Sequence, residues 1–275
     1  VKMDMNRHLT DVWSKTEGEQ NQGAILHRYM LGVYDFLERL HERYPALLIE
    51  GCSGGGGRFD AGMLYYTPQI WCSDNTDAIE RVKIQYGTSF AYPSCTVGSH
   101  VSAVPNHQTG RTTELATRAA VAMAGSFGYE LDLNLLTEEE KEQVRAQIKN
   151  YHRFEMLIRQ GRYYRLTDVW QKKEYAAWEY CRPDGSEALV TVVTLNTQCN
   201  PATEYVKLRG LGEDKKYRVE VVGMQTGGEN GQRINGTPNA VEPEYYTGAQ
   251  LVYAGVPVPR LGNEYKSWQV YVKEV

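Results

Sequence analysis

The stretch that decides the fold is residues 69–77, with the sequence Gln69-Ile70-Trp71-Cys72-Ser73-Asp74-Asn75-Thr76-Asp77. It begins with a short apolar run, which predicts a buried strand, and Asp74 follows where that strand ends. A helical pattern then covers residues 78–92 and is stopped by Pro93. A strand that leads through a polar turn into a helix is the unit from which parallel sheets are built.

The same unit recurs along the first 161 residues. Further strands are predicted at residues 1–3, 47–49, 95–97 and 129–133, with helical segments between them. Thr137 and Glu140 have the spacing of a capping box, which predicts where the last of these helices begins. A closed (β/α)8 barrel has eight such strands. Since about five are visible, we expect residues 1–161 to be a truncated barrel whose other strands precede Val1.

After Gly161 the pattern changes to short alternating runs. Residues 178–181 and 188–195 flank Arg182-Pro183-Asp184-Gly185, which has the composition of a hairpin turn. Further strands are predicted at 205–208, 217–222, 250–253 and 268–272, and helical patterns are absent. Residues 162–275 are therefore expected to form an antiparallel β-sandwich. The predicted fold class is α/β: the C-terminal part of a (β/α)8 barrel followed by this sandwich.

The overall composition excludes several classes of partner. The 275 residues carry a net charge of −4 without a basic block, so nucleic acid is not an expected partner. No apolar stretch approaches the roughly 20 residues that span a bilayer, so no membrane partner is expected. The five cysteines form no C-x-x-C pair, which favours reduced thiols in a cytoplasmic protein over a disulfide framework or zinc site.

The residues at the strand ends indicate a candidate catalytic site. Asp4 and Asp74 each close an apolar run, and the glycines 54–57 follow the strand predicted at 47–49. The carboxyl ends of barrel strands meet at one face, and two carboxylates that converge there are sufficient to cleave a glycosidic bond. The alternative for either residue, and for Asp77, is a turn or helix-capping role. The glycine run lacks the Lys-Ser/Thr ending of a phosphate-binding loop, so phosphate is not favoured.

Four segments together resemble the family-36 glycoside hydrolases, which are retaining α-galactosidases of the melibiase and raffinose-cleaving type. They are Lys2-Met3-Asp4-Met5-Asn6-Arg7, Cys52-Ser53-Gly54-Gly55-Gly56, residues 71–77, and Pro105-Asn106-His107-Gln108-Thr109-Gly110-Arg111. The resemblance extends over essentially the whole chain. One departure is Met3, since the family more often has Trp at that position.

The resemblance implies roles for individual residues. Asp4 would be the nucleophile and Asp74 the general acid and base, with Asp77 in a supporting structural role. The substrate-binding residues would be Lys2, Asn6, Cys52, Gly54 and Trp71, with Trp71 shaping the wall of the pocket. No metal or other cofactor is expected, because His100 and His107 lack a third ligand at suitable spacing.

The expected partners are α-galactoside oligosaccharides, and the expected activity is hydrolysis of terminal α-linked galactose from melibiose or raffinose. Two alternatives within the group are an α-N-acetylgalactosaminidase, which Cys52 disfavours, and a galactosyltransferase of the raffinose or stachyose synthase type. A third alternative is a non-catalytic fragment of such an enzyme. We expect the full-length enzyme to form homo-oligomers and this chain alone to be nearly inactive.

Overall fold

The computed structural model describes residues 1–4, 10, 12–200, 202–222, 244–259 and 264–275. Asn6, one of the predicted substrate-binding residues, lies outside the described residues. The chain divides into two compact units. One comprises Val1–Asp74 with Thr96–Gly98, and the other comprises Asn75–Cys95 with Ser99–Val275. Each unit is built around its own sheet and is described separately.

The first unit contains a small parallel sheet. Its strands are β1 (Lys2–Met3), β2 (Glu50–Gly51) and β3 (Gln69–Ile70), in that order across the sheet. Helix α1 (Ile25–Arg43) connects β1 to β2, and α2 (Ala61–Tyr66) connects β2 to β3. A 3-10 helix at Glu19–Ala24 precedes α1.

The sheet and helices of this unit share one apolar cluster. Leu37 of α1 lies in its centre, fully buried against Ile49 and Met63. Ile70 also forms a parallel bridge with Val97. The alternation of parallel strands and helices is therefore present as the sequence predicted, although β2 begins just after the predicted strand at 47–49.

The second unit begins with the remaining strand–helix elements. Helix α3 (Ala78–Thr88) is followed by β4 (Gly98–Ser102), whose first residue belongs to the other unit, and then by α4 (Leu115–Ala122), β5 (Ser126–Glu130) and α5 (Glu138–Gln160). The predicted capping box opens α5. Thr137 Oγ1 accepts from the Glu140 backbone N–H at 3.2 Å, and the Glu140 carboxylate accepts from the Thr137 N–H at 2.9 Å.

An antiparallel sheet follows, which has six strands within the described residues. Their order is β11-β10-β13-β8-β7-β6. The bounds are β6 Arg162–Arg165, β7 Tyr175–Cys181, β8 Glu187–Thr194, β10 Lys216–Val222, β11 Glu244–Thr247 and β13 Ser267–Glu274. A two-stranded sheet pairs β9 (Tyr205–Val206) with β12 (Val256–Pro257). The predicted hairpin is confirmed, since β7 and β8 flank the turn at residues 182–185.

Both faces of the six-stranded sheet are buried within this unit. On one face Trp178 and Leu189 pack against helical residues such as Phe154. On the other face Val190 belongs to a cluster with Val256 and its neighbours on the two-stranded sheet. A sheet covered on both faces needs strands that are apolar almost throughout, and β7 is buried at every position.

Two predicted strands were wrong. The strand predicted at 95–97 falls largely on a 3-10 helix, Ser94–Thr96, and β4 begins only at Gly98. Residues 250–253 belong to a π-helix, Gln250–Ala254. The Gln250 N–H donates to Thr247 Oγ1 at 3.2 Å, and the Thr247 N–H donates to Gln250 Oε1 at 2.8 Å. Gly255, with φ of 89°, then ends the turn. Among the described residues no helix is long and apolar enough to cross a membrane.

Candidate active site

The two predicted carboxylates follow strands of the same parallel sheet. Asp4 comes directly after β1, Asp74 comes four residues after β3, and both side chains are exposed. Since β2 lies between β1 and β3, the two strands are next-nearest neighbours, roughly 10 Å apart at the backbone. Asp4 and Asp74 therefore extend from the same edge of one sheet, on either side of the loop that follows β2.

That loop is the glycine run, and it contacts both strand ends. The Gly54 N–H donates a long hydrogen bond of 3.4 Å to Asp4 Oδ1. At the next residue, Gly55, a Cβ atom would lie only 2.6 Å from the backbone nitrogen of Asp74. Two consecutive residues thus adjoin the two aspartates, which keeps Asp4 and Asp74 close together.

Glycine is required in this loop for backbone packing. Gly55 and Gly56 have φ values of 71° and 103°, which side chains with a Cβ rarely adopt. A Cβ at Gly56 would also lie 3.0 Å from the Cys72 carbonyl oxygen. Arg58 also stabilises the loop, because its guanidinium donates to Ser53 Oγ and to the Cys52 carbonyl, each at 3.2 Å. The loop therefore packs between the ends of β1 and β3 and fixes how they are oriented.

Trp71 and Lys2 lie close to Asp74 and Asp4 respectively in sequence, and they contact each other. The Trp71 indole N–H donates to Asp74 Oδ1 at 3.1 Å, although the ring itself is only 3% exposed. Lys2 Nζ lies 4.9 Å from the centroid of that ring and 3.9 Å from Glu50 Oε1. Glu50 in turn accepts a hydrogen bond from Gln69, so the first residues of all three strands are linked.

Cys52, the other predicted substrate contact, is 1% exposed. It continues β2, and its backbone N–H donates to the Met3 carbonyl at 3.0 Å. Its position is therefore fixed by the pairing of β2 with β1. The structure thus brings Lys2, Asp4, Cys52, Gly54, Trp71 and Asp74 together around the ends of three neighbouring strands.

Asp77 belongs to a separate network in the second unit. It is the N-cap of α3, which is the helix-capping role that the sequence indicated as an alternative. Its Oδ1 accepts from the Ile79 N–H at 2.8 Å. Its other oxygen accepts from the Thr109 hydroxyl and from the Arg111 guanidinium. Burial acts to raise the pKa of Asp77, but the hydrogen bonds from Thr109, Arg111 and Ile79 outweigh it and hold the pKa below 3.8.

The sequence could not predict the partners of Asp77, because Thr109 and Arg111 are 32 and 34 residues away along the chain. The only indication in the sequence was that both residues lie in the segment Pro105–Arg111. That segment resembles the family, but no role was predicted for its residues. Of the two histidines considered as metal ligands, His100 lies 3.6 Å from Glu130. Among the residues that the structure describes, no three His, Cys, Asp or Glu side chains are grouped to hold a metal ion.

Comparisons with known proteins show the family to which the chain belongs. The family model for Melibiase matches residues 1–161, and the model for the glycosyl hydrolase family 36 C-terminal domain matches residues 175–272. The bifunctional α-galactosidase/sucrose kinase AgaSK of Mediterraneibacter gnavus is 52% identical over all 275 residues, which cover 26% of that protein.

Two solved structures of variants of the GH36 α-galactosidase AgaA of Geobacillus stearothermophilus are similarly close. One, in complex with raffinose, has a TM-score of 0.88 at 42% identity, and the other, in complex with stachyose, has 0.88 at 43%. Each match covers the whole of this chain and 35% of that chain. The chain thus spans about a quarter to a third of the length of the relatives it matches. The predicted fold class is confirmed, and the chain belongs to the Melibiase family, with a glycosyl hydrolase family 36 C-terminal domain following the barrel part.

Proposed function

We propose that the protein containing this chain is a retaining α-galactosidase that hydrolyses terminal α-linked galactose from oligosaccharides such as raffinose and melibiose. In this proposal Asp4 and Asp74 are the two catalytic carboxylates. The main support for this proposal is the position of the glycine loop, in which Gly54 donates to Asp4 and Gly55 packs against the Asp74 backbone. Two exposed carboxylates held together at one edge of a parallel sheet fit the pair that glycoside hydrolysis requires.

The relatives support the assignment of these two residues. In the AgaA complexes with stachyose and raffinose, an aspartate is replaced by alanine in the first and by asparagine in the second. The two substituted positions are 70 residues apart in AgaA, the same separation as that of Asp4 and Asp74 here. Loss of a catalytic carboxylate is a direct way to keep an intact oligosaccharide in a complex, so this match favours the pair.

The mechanism follows from the pair. Asp4 attacks the anomeric carbon while Asp74 donates its proton to the glycosidic oxygen, so the bond to the leaving group breaks and a galactosyl ester of Asp4 forms. Asp74, now a carboxylate, takes a proton from water, which attacks the anomeric carbon and releases galactose with retained configuration. The separation of the two carboxyl groups in the working enzyme is expected to be roughly 5–5.5 Å, which leaves no room for a water molecule in the first step.

Hydroxyl recognition completes the proposal. Lys2 and Asn6 are suitable donors to sugar oxygens, and the Gly54 amide is on the same side of the sheet edge as Asp4. Cys52 would set the space available beside the ring. We further propose a cytoplasmic location, which the five free cysteines favour, and a homo-oligomeric full-length enzyme.

The first test replaces each carboxylate in the full-length gene product that contains this chain. Asp4→Ala should lose turnover on every α-galactoside, and added azide should restore part of it by forming β-galactosyl azide at the vacated face. Asp74→Ala should lose far more activity on melibiose than on a dinitrophenyl α-galactoside, because only the poor leaving group needs a proton.

The control substrates are aryl glycosides of other sugars, including aryl α-N-acetylgalactosaminide. Preferential cleavage of the acetamido sugar would identify the enzyme as an α-N-acetylgalactosaminidase. Transfer of galactose to an acceptor sugar in preference to water would identify it as a galactosyltransferase. Equal losses on both leaving groups would remove Asp74 from its assigned role. No turnover of any aryl glycoside by the unsubstituted protein would contradict the proposed function as a whole.

A further inference from the structure

We infer that Trp71 is a positioning residue for Asp74. Its indole N–H occupies one carboxylate oxygen, Oδ1, so that the catalytic proton is exchanged through the other oxygen, Oδ2. The inference rests on the proposed function of Asp74, and it gives Trp71 a role different from that of a pocket wall. It is carried by contacts within the first unit of the chain.

The donor is more strongly fixed than the acceptor. Trp71 is 3% exposed, its backbone N–H donates to the Gly51 carbonyl at 2.8 Å, and Gly98 packs against the ring so closely that a Cβ there would lie 3.3 Å from Trp71 Cε3. Asp74, by contrast, is exposed. A hydrogen bond of 3.1 Å from the buried indole therefore restricts the rotation of this exposed carboxylate.

The electrostatics of the ring favour this arrangement. An aromatic ring is negative on its face and positive at its edge. Lys2 Nζ lies over the face, 4.9 Å from the centroid, while Asp74 Oδ1 accepts from the N–H at the edge. The cation draws electron density from the ring and so strengthens the N–H as a donor to the carboxylate. Lys2 is itself held towards the ring by Glu50, 3.9 Å away.

Burial makes direct stacking of Trp71 on a sugar ring a poor explanation of its presence. A side chain that binds substrate by stacking offers its face to the pocket, whereas Trp71 is 3% exposed, with Gly98 against its Cε3 atom and Lys2 Nζ over its ring face. The part of Trp71 that reaches the site is the N–H at its edge, and its acceptor is the carboxylate itself. The inferred function is therefore to orient Asp74.

The consequence for the reaction concerns one proton. In the first step Asp74 carries it on Oδ2 and transfers it to the glycosidic oxygen, while the indole N–H continues to donate to Oδ1. In the second step Oδ2 takes a proton from the attacking water and Oδ1 is again held. Without the indole, Asp74 would rotate between orientations, and only part of the population would direct a proton at the leaving group.

The test compares Trp71→Phe, which removes the N–H but keeps an aromatic ring, with Trp268→Phe in the full-length gene product. Trp268 is a matched control, since it is 2% exposed and its indole N–H has no hydrogen-bond partner among the described residues. The values to measure are kcat/KM for melibiose and for a dinitrophenyl α-galactoside, because both report the first chemical step.

For Trp71→Phe we expect kcat/KM on melibiose to fall about 10- to 100-fold, the range for loss of a hydrogen bond to a charged group. On the dinitrophenyl substrate it should fall less than about 3-fold, since that leaving group needs no proton. Trp268→Phe should affect both substrates equally. Benzothienylalanine, an isostere that replaces the N–H by sulfur, should reproduce the effect at position 71 if Trp71→Phe folds poorly.

Two results would overturn the inference. Equal losses on both substrates at position 71 would mean a purely structural role, and a rise in KM alone for both would mean direct contact with the sugar. The Asp74→Ala variant measured in the same assay separates these outcomes from failure of the proposed function. If Asp74→Ala lacks the leaving-group dependence, the function of Asp74 is wrong, whatever Trp71 does.

Discussion

The glycine loop makes a quantitative prediction through Gly55. In Gly55→Ala the new methyl group would meet the Asp74 nitrogen at 2.6 Å and Ser73 Cα at 2.9 Å, where ordinary contacts begin at 3.4 Å. All of these neighbours are backbone atoms, so no side chain can turn away. The loop and the end of β3 must separate by about 0.8 Å for the methyl group to fit.

The cost has two parts. Alanine at φ of 71° loses about 1–2 kcal/mol relative to glycine, and forced overpacking adds about 1–3 kcal/mol. The free energy of unfolding should therefore fall by about 2–5 kcal/mol. Because a misplacement near 1 Å can reduce an enzymatic rate about 100-fold, kcat/KM on melibiose should fall by about that factor.

Two measurements check this, namely thermal unfolding and kcat/KM of Gly55→Ala in the full-length gene product. Gly18→Ala is the matched control, because Gly18 has a φ of 68° but a Cβ added there would meet nothing within 4 Å. The control should show only the conformational part, about 1–2 kcal/mol, with unchanged kcat/KM. If Gly55→Ala behaves like Gly18→Ala, the loop does not orient the end of β3 and the reasoning is refuted.

Two further predictions concern charge. Burial raises the pKa of Glu179, which is 0% exposed, to about 8 from 4.5, so its contribution to stability is fully present below pH 4.5 and is lost as the pH rises to about 8. This should remove on the order of 4 kcal/mol from the free energy of unfolding between pH 4.5 and 8; Glu179→Gln should flatten that dependence in denaturant titrations, and an unchanged slope would contradict it. The lowered pKa of Asp77 contributes stability that is present above pH 3.8 and lost as the pH falls through the folded-state pKa. Asp77→Asn should lower the free energy of unfolding by about 2 kcal/mol at pH 7, and this difference from the unsubstituted protein should shrink below pH 4. An equal loss at pH 7 and below pH 4 would exclude the charge of Asp77 as its source.

Local patterns were sufficient to predict most of the elements. The capping box of Thr137 and Glu140 and the hairpin turn at residues 182–185 depend on hydrogen bonds over three or four residues, so their spacing in the sequence specifies them. The positions of Asp4 and Asp74 after strand ends were also visible, because a short apolar run that stops at a polar residue is typical of a buried strand and its turn. The errors were small shifts of strand bounds, the 3-10 helix at Ser94–Thr96 and the π-helix at Gln250–Ala254.

The contacts that shape the candidate site were not predictable in the same way. A run of four glycines at 54–57 is compatible with several functions. Only the packing of Gly55 on Asp74 distinguishes a loop that orients the strand ends from a ligand-binding loop. Trp71 precedes Asp74 by three residues, but whether its N–H reaches the carboxylate depends on the turn between them. Glu179 lies in an otherwise apolar strand, and the sequence alone does not indicate that its Oε2 accepts from the Arg209 N–H.

The central claim, that Asp4 and Asp74 are the catalytic pair of a retaining α-galactosidase, is tested most directly by trapping the covalent intermediate. The full-length gene product would be treated with a slowly hydrolysed fluorinated α-galactosyl substrate, digested, and mapped by mass spectrometry. We predict one fluorogalactosyl adduct per active site, on the peptide containing Asp4 and on that carboxylate. An adduct on another residue, or complete turnover to galactose of inverted configuration without any adduct, would contradict the claim.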